Sequence, residues 1–263
     1  MANYVGVSSR DLQTYLQNKS VYNSTVDGIE GTMTQNAVDR LLNSNDSVAP
    51  AVLSADYSRK RLAVNQLLFQ ELGFYNDTID GLNGPNTEYA IEQYQNHLRG
   101  IDRKESSGSN SWPTYSNIQR FYGAPGTNHT TVRLPYTMKL AWDTKTQITR
   151  LTINKKCADS FLTVMENVLR AYSLSDIKAL RLDMFGGCYN NRKMRGGSKL
   201  STHAYAAALD FDPSHNPLRA GADRATFARP EYDEWWSCWE KQGWVSLGRE
   251  RNYDWMHVQA VRL

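Results

Sequence analysis

Cysteine is scarce in this sequence: three in 263 residues, at Cys157, Cys188 and Cys238, odd in number and far apart. With no C-x-x-C pair among them, neither a disulfide framework nor a thiolate zinc knuckle can be built. They read as buried free thiols of a chain made in a reducing compartment. Long apolar runs are missing too, and nothing approaches the roughly 18 residues that a membrane-spanning helix needs. The opening MANYVGVSSRDLQTYLQ has neither the basic start nor the apolar core of a secretory signal. Action outside the cytoplasm would therefore require delivery by another route. No Lys/Arg stripe interleaved with aromatics occurs, which sets nucleic acid aside as a partner. The 40% hydrophobic and 22% charged fractions exclude a disordered chain.

The net charge of +3 is small but unevenly placed. Residues 1–100 carry 7 basic and 11 acidic side chains, whereas residues 101–263 carry 23 and 16. The asymmetry suggests two functional halves, the second better suited to an anionic polymer or surface.

An internal repeat organises the first half. VDGIEGTMTQNAVDRLL, from Val26, aligns without gaps on IDGLNGPNTEYAIEQYQ, from Ile79, so that Asp27, Gly28, Gly31, Thr34 and Ala37 match Asp80, Gly81, Gly84, Thr87 and Ala90. Each copy reads as a glycine-rich turn, a threonine N-cap and an amphipathic helix, with Ala90, Ile91, Tyr94 and Leu98 forming one apolar stripe in the second. Another helical pattern precedes each turn, Leu12 to Gln17 and Leu62 to Leu72. This arrangement resembles the small helical peptidoglycan-binding module of wall hydrolases. The resemblance implies a duplicated wall-binding domain over residues 1–100, with Asp27, Gly28, Asp80 and Gly81 as its binding residues.

From Ile101 to Asn117 the composition turns to Ser, Gly and Asn, predicting a linker, and Tyr122 to Pro135 reads as a second loop-rich stretch. Beyond it, Asn154 is placed to cap a helix that buries Phe161, Met165, Val168 and Tyr172. Pro230 opens another helix, closed by Gly243, whose tryptophans at 235, 236 and 239 have the spacing of core residues rather than sugar-stacking platforms. Short strand-like runs cover 179–185, 208–211 and 255–261. Without a regular βαβ rhythm, the pattern predicts an α+β domain.

The chemistry gathers around two of the five histidines, in GGSKLSTHAYAAALDFDP and RNYDWMHVQAVRL. A hydrolytic zinc site needs three N/O ligands and an open position for water, a carboxylate outside the ligand set to take a proton, and a cation for the developing oxyanion. His203, Asp210 and His257 supply a His₂Asp set, Asp254 the base, and Arg192 or Arg195 the cation. On a strand, Asp210 lies opposite Leu209 and Phe211, and His257 opposite Met256 and Val258. Asp254 then needs a bend at Tyr253-Asp254 to face the same way. Trp255 shares a strand face with His257 and is expected to line the cleft. His215 reads as a surface-loop residue; His97 and His129 are assigned no role.

FGGCYNNRKMRGGSKLSTHAYAAALDFDP followed by DWMHVQ resembles the zinc D-alanyl-D-alanine carboxypeptidase family, which includes vancomycin-resistance peptidases and phage L-alanyl-D-glutamate endopeptidases. The family pattern falls on Arg192, Ser201, His203, Ala208, Asp210, Asp254 and His257, over residues 118–263. One position departs from it: Ala206 stands where the family has glycine, which bears on the shape of the loop. The resemblance implies a zinc ion on His203, Asp210 and His257, Asp254 as general base, Arg192 at the oxyanion, and Ser201 orienting the His203 loop or the substrate. It also implies a small antiparallel sheet flanked by helices.

Together these features predict a monomeric, phage-type endolysin that cuts the peptidoglycan stem peptide between L-Ala and D-Glu. It would be made in the host cytoplasm and act on the wall after release. A D-alanyl-D-alanine carboxypeptidase is the near alternative, and a non-catalytic wall-binding or virion structural protein the distant one.

Overall fold

In the computed structural model of the chain, which describes residues 6–100 and 111–263, the tandem repeat is realised as two copies of one hydrogen-bond pattern. The chain divides into two units, Met1–Asp102 and Arg103–Leu263. The first is helical: α1 (Ser9–Asn18), α2 (Thr32–Asn43), α3 (Pro50–Leu53), α4 (Tyr57–Glu71) and α5 (Pro85–Leu98). A buried glutamine on the helix before each turn ties that turn down. Gln13 on α1 donates to the Tyr22 hydroxyl, the Asp27 carboxylate, the Ile29 carbonyl and the Thr34 hydroxyl, and accepts from the Gly28 N–H. Gln66 on α4 does the same with Tyr75, Asp80, Leu82, Thr87 and Gly81.

These bonds revise one expectation. Thr34 and Thr87 do not cap their helices; Gly31 and Gly84 hold the cap positions, and the buried threonine hydroxyls belong to the glutamine network. Asp27 and Asp80 use a carboxylate oxygen within their own turns, accepting from the N–H of Ile29 and Leu82. Gly81 has φ +67°, and a side chain there would strike the Arg59 carbonyl, so this position admits only glycine. Ala90, Ile91 and Tyr94 are buried as the helical stripe requires, but Leu98 at the end of α5 is exposed.

The second unit opens with residues that the composition assigned to a linker. Of the expected linker, 101–110 lies outside the described residues. Trp112 is buried in the core of this unit, and Arg262 donates to the carbonyls of Trp112 and Pro113 from its Nε and backbone N–H. The folded unit thus begins before residue 118. Next come α6 (Ile118–Tyr122), the strands β1 (His129–Leu140) and β2 (Asp143–Asn154), α7 (Ala158–Ala171) and α8 (Leu174–Ala179). Then follow β3 (Met184–Gly187), β4 (Ala208–Phe211), α9 (Asp233–Lys241), β5 (Val245–Ser246), α10 (Leu247–Arg251) and β6 (His257–Gln259).

Ten α-helices and a six-stranded sheet make up the described residues, in keeping with an α+β architecture. The strand order is β2-β1-β3-β4-β6-β5. The sheet is mixed rather than antiparallel, because β3 runs parallel to β1. Parallel neighbours need a crossover, and here it contains β2, α7 and α8.

Asn154 does not cap α7, whose first turn follows Cys157; its buried amide instead holds the Tyr122 and Tyr205 carbonyls. Phe161, Met165 and Val168 are buried where α7 packs on β1 and α9, while Tyr172 lies just beyond the helix and is half-buried. Trp235, Trp236 and Trp239 are likewise buried, and Phe211 of β4 meets Trp235 edge-on at 5.0 Å. The aromatic core thus backs the strand that carries Asp210. No helix among the described residues is long and apolar enough to cross a membrane.

Candidate metal centre and active site

Two adjacent strands and one short helical turn bring the expected ligands together. β4 and β6 pair antiparallel with Asp210 directly opposite His257, so both side chains leave the same face. Leu209 and Phe211 take the opposite face and are fully buried, as the alternation predicts. His203 enters from a 3₁₀ turn, Thr202–Tyr205, whose N-cap is Ser201; the Ser201 hydroxyl accepts from the His203 N–H. Ser201 thus caps the His203 turn and also lines the adjoining cavity. That turn ends on Ala206, the position where the family has glycine, and Ala206 adopts the left-handed conformation at φ 50°. A left-handed conformation is one that glycine adopts freely and alanine only at the cost of local backbone strain.

The ligand atoms of His203, Asp210 and His257 lie within 4.8 Å of one another. An Asp210 oxygen is 3.0 Å from His257 Nδ1 and 3.3 Å from His203 Nε2, and the two ring nitrogens are 3.2 Å apart. The outer ring nitrogens decide what those contacts are. His203 Nδ1 faces the Cys188 carbonyl at 2.6 Å, and His257 Nε2 faces the Gln259 amide oxygen at 3.1 Å. Both partners only accept, so each neutral ring carries its proton on the outside. Two imidazole lone pairs and a carboxylate oxygen are left aimed at one point. Such a set repels itself unless a cation or a proton lies between its members. Two imidazoles and one carboxylate, with no thiolate in the set, suit a divalent ion of borderline softness.

When protons rather than a cation fill the gap, burial works against the charge on Asp210, yet hydrogen bonds and charge from the protonated His203 and His257 rings hold its carboxyl well below the usual carboxylate range. Asp254 is in the opposite position. Burial pushes its carboxyl up, the nearby Asp210 charge adds to the shift, and His257, His203 and Arg195 oppose it. Its Oδ1 is buried with no hydrogen-bond partner among the described residues. The bend that the sequence required is present: Asp254 adopts φ 56°, and its carbonyl accepts from the His257 N–H in a tight turn. Asp254 and His257 consequently line the same cavity.

That cavity has a volume of about 210 Å³ and is also lined by Arg192, Arg195, Ser201, His203 and Asp210. Arg192 and Arg195 come from one loop, whose ends are tied by the Ser201 N–H donating to the Arg192 carbonyl. The Arg192 guanidinium donates to the Lys193 carbonyl, and Arg195 is exposed. Both cations border the cavity.

One further placement departs from the sequence reading. Trp255 does not line the cavity; it is buried against Trp236 and Gly248, where a side chain on residue 248 would collide with the indole. Asp212, the other carboxylate near the motif, is clamped by two Arg181 nitrogens at 2.8 and 3.0 Å. His215 is exposed and leans on Asp212, as befits a loop histidine. Sequence reasoning missed Gln259 and the Cys188 carbonyl. The first was detectable, since a residue two past His257 on a strand shares its face; a backbone carbonyl leaves no trace in sequence. Comparison with protein-family models, with curated proteins and with solved structures gives no match for this chain.

Proposed function

We propose that residues 103–263 form a zinc-dependent peptidase that cleaves the stem peptide of peptidoglycan, and that residues 1–102 serve as its wall-binding unit. One observation carries the catalytic part. Three converging metal-ligand atoms, a buried carboxylate with an unpartnered oxygen, and two cationic side chains border a single cavity. His203, Asp210 and His257 would hold the ion, which supplies Lewis acidity and eases the ionisation of water.

Asp254 accepts the proton of the attacking water at its carboxylate and later delivers it to the leaving amine. Its raised proton affinity suits both halves of that exchange, because the carboxyl gives up and regains a proton more evenly near neutral pH. Arg192 or Arg195 meets the oxyanion that forms on the scissile carbonyl. Ser201 keeps the His203 turn in place.

The peptidoglycan part is supported by the motif resemblance in GGSKLSTHAYAAALDFDP and DWMHVQ, and by the tandem helical repeat. Incubating the protein with purified sacculi and mass-analysing the soluble fragments tests it. Cleavage between L-Ala and D-Glu yields peptides with a new N-terminal D-glutamate, whereas released D-alanine would transfer the assignment to the carboxypeptidase reaction. Intact sacculi after incubation with zinc-loaded protein would refute the wall-peptidase reading.

A further inference from the structure

Gln259 is buried on β6, two residues beyond His257 and on the same strand face. Its Nε2 donates to the Val261 carbonyl at 2.9 Å. A carbonyl only accepts, so the amide nitrogen must face Val261 and the amide oxygen must face the imidazole, 3.1 Å from His257 Nε2. The orientation of one amide thereby decides where the His257 proton sits.

Two tautomers compete. With the proton on Nε2, the ring donates to Gln259 and leaves the Nδ1 lone pair toward Asp210 and His203. With the proton on Nδ1, the ring donates to Asp210, whose oxygen lies 3.0 Å away, and the ligand lone pair is lost. In His203 the equivalent choice is made by the Cys188 backbone carbonyl, which no side-chain substitution removes. In His257 it is made by a side chain.

We propose that Gln259 is a positioning residue that holds His257 in its Nε2–H tautomer and so presents Nδ1 to a divalent metal. The assignment rests on the metal-centre reading above. Outer partners of this kind commonly contribute about 10- to 100-fold to metal affinity, because they set both the tautomer and the orientation of the ligand ring.

The test compares the full chain with Gln259→Leu, which removes the acceptor, and Gln259→Glu, which restores one. Long-range proton–nitrogen correlation spectra of the metal-free proteins, recorded at a pH where the ring is neutral, report the His257 tautomer, and competition with a chromophoric chelator reports zinc affinity. Wild type and Gln259→Glu should show the proton on Nε2. Gln259→Leu should move it toward Nδ1 and bind zinc about 10- to 100-fold more weakly. If Gln259→Leu does not fold, Gln259→Asn, which draws the amide back by one methylene, replaces it. An unchanged tautomer with unchanged zinc affinity in the folded variant overturns the assignment. Should wild type bind no zinc, the metal reading fails by itself, while the tautomer comparison still upholds or overturns the control of His257 by Gln259.

Discussion

On the proposed reading, replacing Asp254 by asparagine should slow turnover and make the metal-free fold more stable. The substitution keeps side-chain size and tolerates the left-handed backbone at φ 56°, which asparagine adopts readily. What it removes is a proton acceptor and a buried charge. Loss of a positioned general base typically costs about 10²- to 10⁴-fold in turnover, or roughly 3–5 kcal/mol of barrier. Zinc content should stay at the wild-type level, since Asp254 is outside the His203–Asp210–His257 set.

The stability half follows from the direction of the pKa shift. Burial raises the folded-state pKa of Asp254 above its unfolded value, so the folded chain prefers the protonated carboxyl. The penalty for ionisation is absent below the ordinary carboxylate pKa, grows as pH rises toward the raised value, and is complete above it. Asparagine never ionises. At neutral pH the variant should gain the ionisation penalty itself, about 1.4 kcal/mol for every tenfold rise in proton affinity on folding, each kcal/mol being worth roughly 2–4 °C in melting temperature for a domain of this size. That gain should vanish below about pH 4. Thermal unfolding of metal-free wild type and variant at both pH values, with zinc stoichiometry and turnover on the same preparations, makes the measurement. Near-normal turnover would refute the role of Asp254, and Asp212 could not replace it while clamped by Arg181. A variant that lost its zinc would make Asp254 a ligand. A variant that was no more stable at neutral pH would show that the buried oxygen is hydrated.

Two other perturbations probe different parts of the chain. Chelation should lower the melting temperature of the zinc-loaded protein; with free zinc at 100 times its dissociation constant, the loss is about 2.7 kcal/mol. Calorimetry before and after re-addition of the ion checks this, and no shift would count against a bound metal. Gln66→Leu should destabilise the N-terminal unit by on the order of 3 kcal/mol, because it strands the Gly81 N–H and removes the donor shared by Tyr75, Asp80 and Thr87. Urea unfolding followed by circular dichroism reads this out, and a change under about 0.5 kcal/mol, the range of ordinary surface substitutions, would mean that the turn holds itself together.

The convergent ligands were legible because strand periodicity and loop chemistry are local: Asp210 is set by its alternation with Leu209 and Phe211, and His203 by the Ser201 cap. The β1–β2 hairpin was not. Pro135 lies within the β1 stretch and marked it as loop, since proline cannot donate to a ladder. In the structure it falls where the β1–β2 register shifts, between Arg133 and Met138, a place that spares it that demand. Beyond the hairpin turn, Asp143 to Gln147 are exposed, so no alternating pattern announces the start of β2. The threonines of the repeat misled for a related reason. Their hydroxyls have the chemistry of a cap, but a glutamine distant in sequence claims them. Trp255 followed the strand pattern on paper, whereas β6 begins only at His257.

The pairing of Asp210 with His257 also bears on how the second unit assembles. Between those two residues in sequence lie α9, β5, α10 and the tryptophans of the core, yet β6 pairs directly with β4. A slip of one residue in that docking would turn His257 to the opposite face and leave Asp210 and His203 without their third partner. On the proposed metal-centre reading, ion binding would report on that register, because only a chain with β6 correctly docked offers all three ligands.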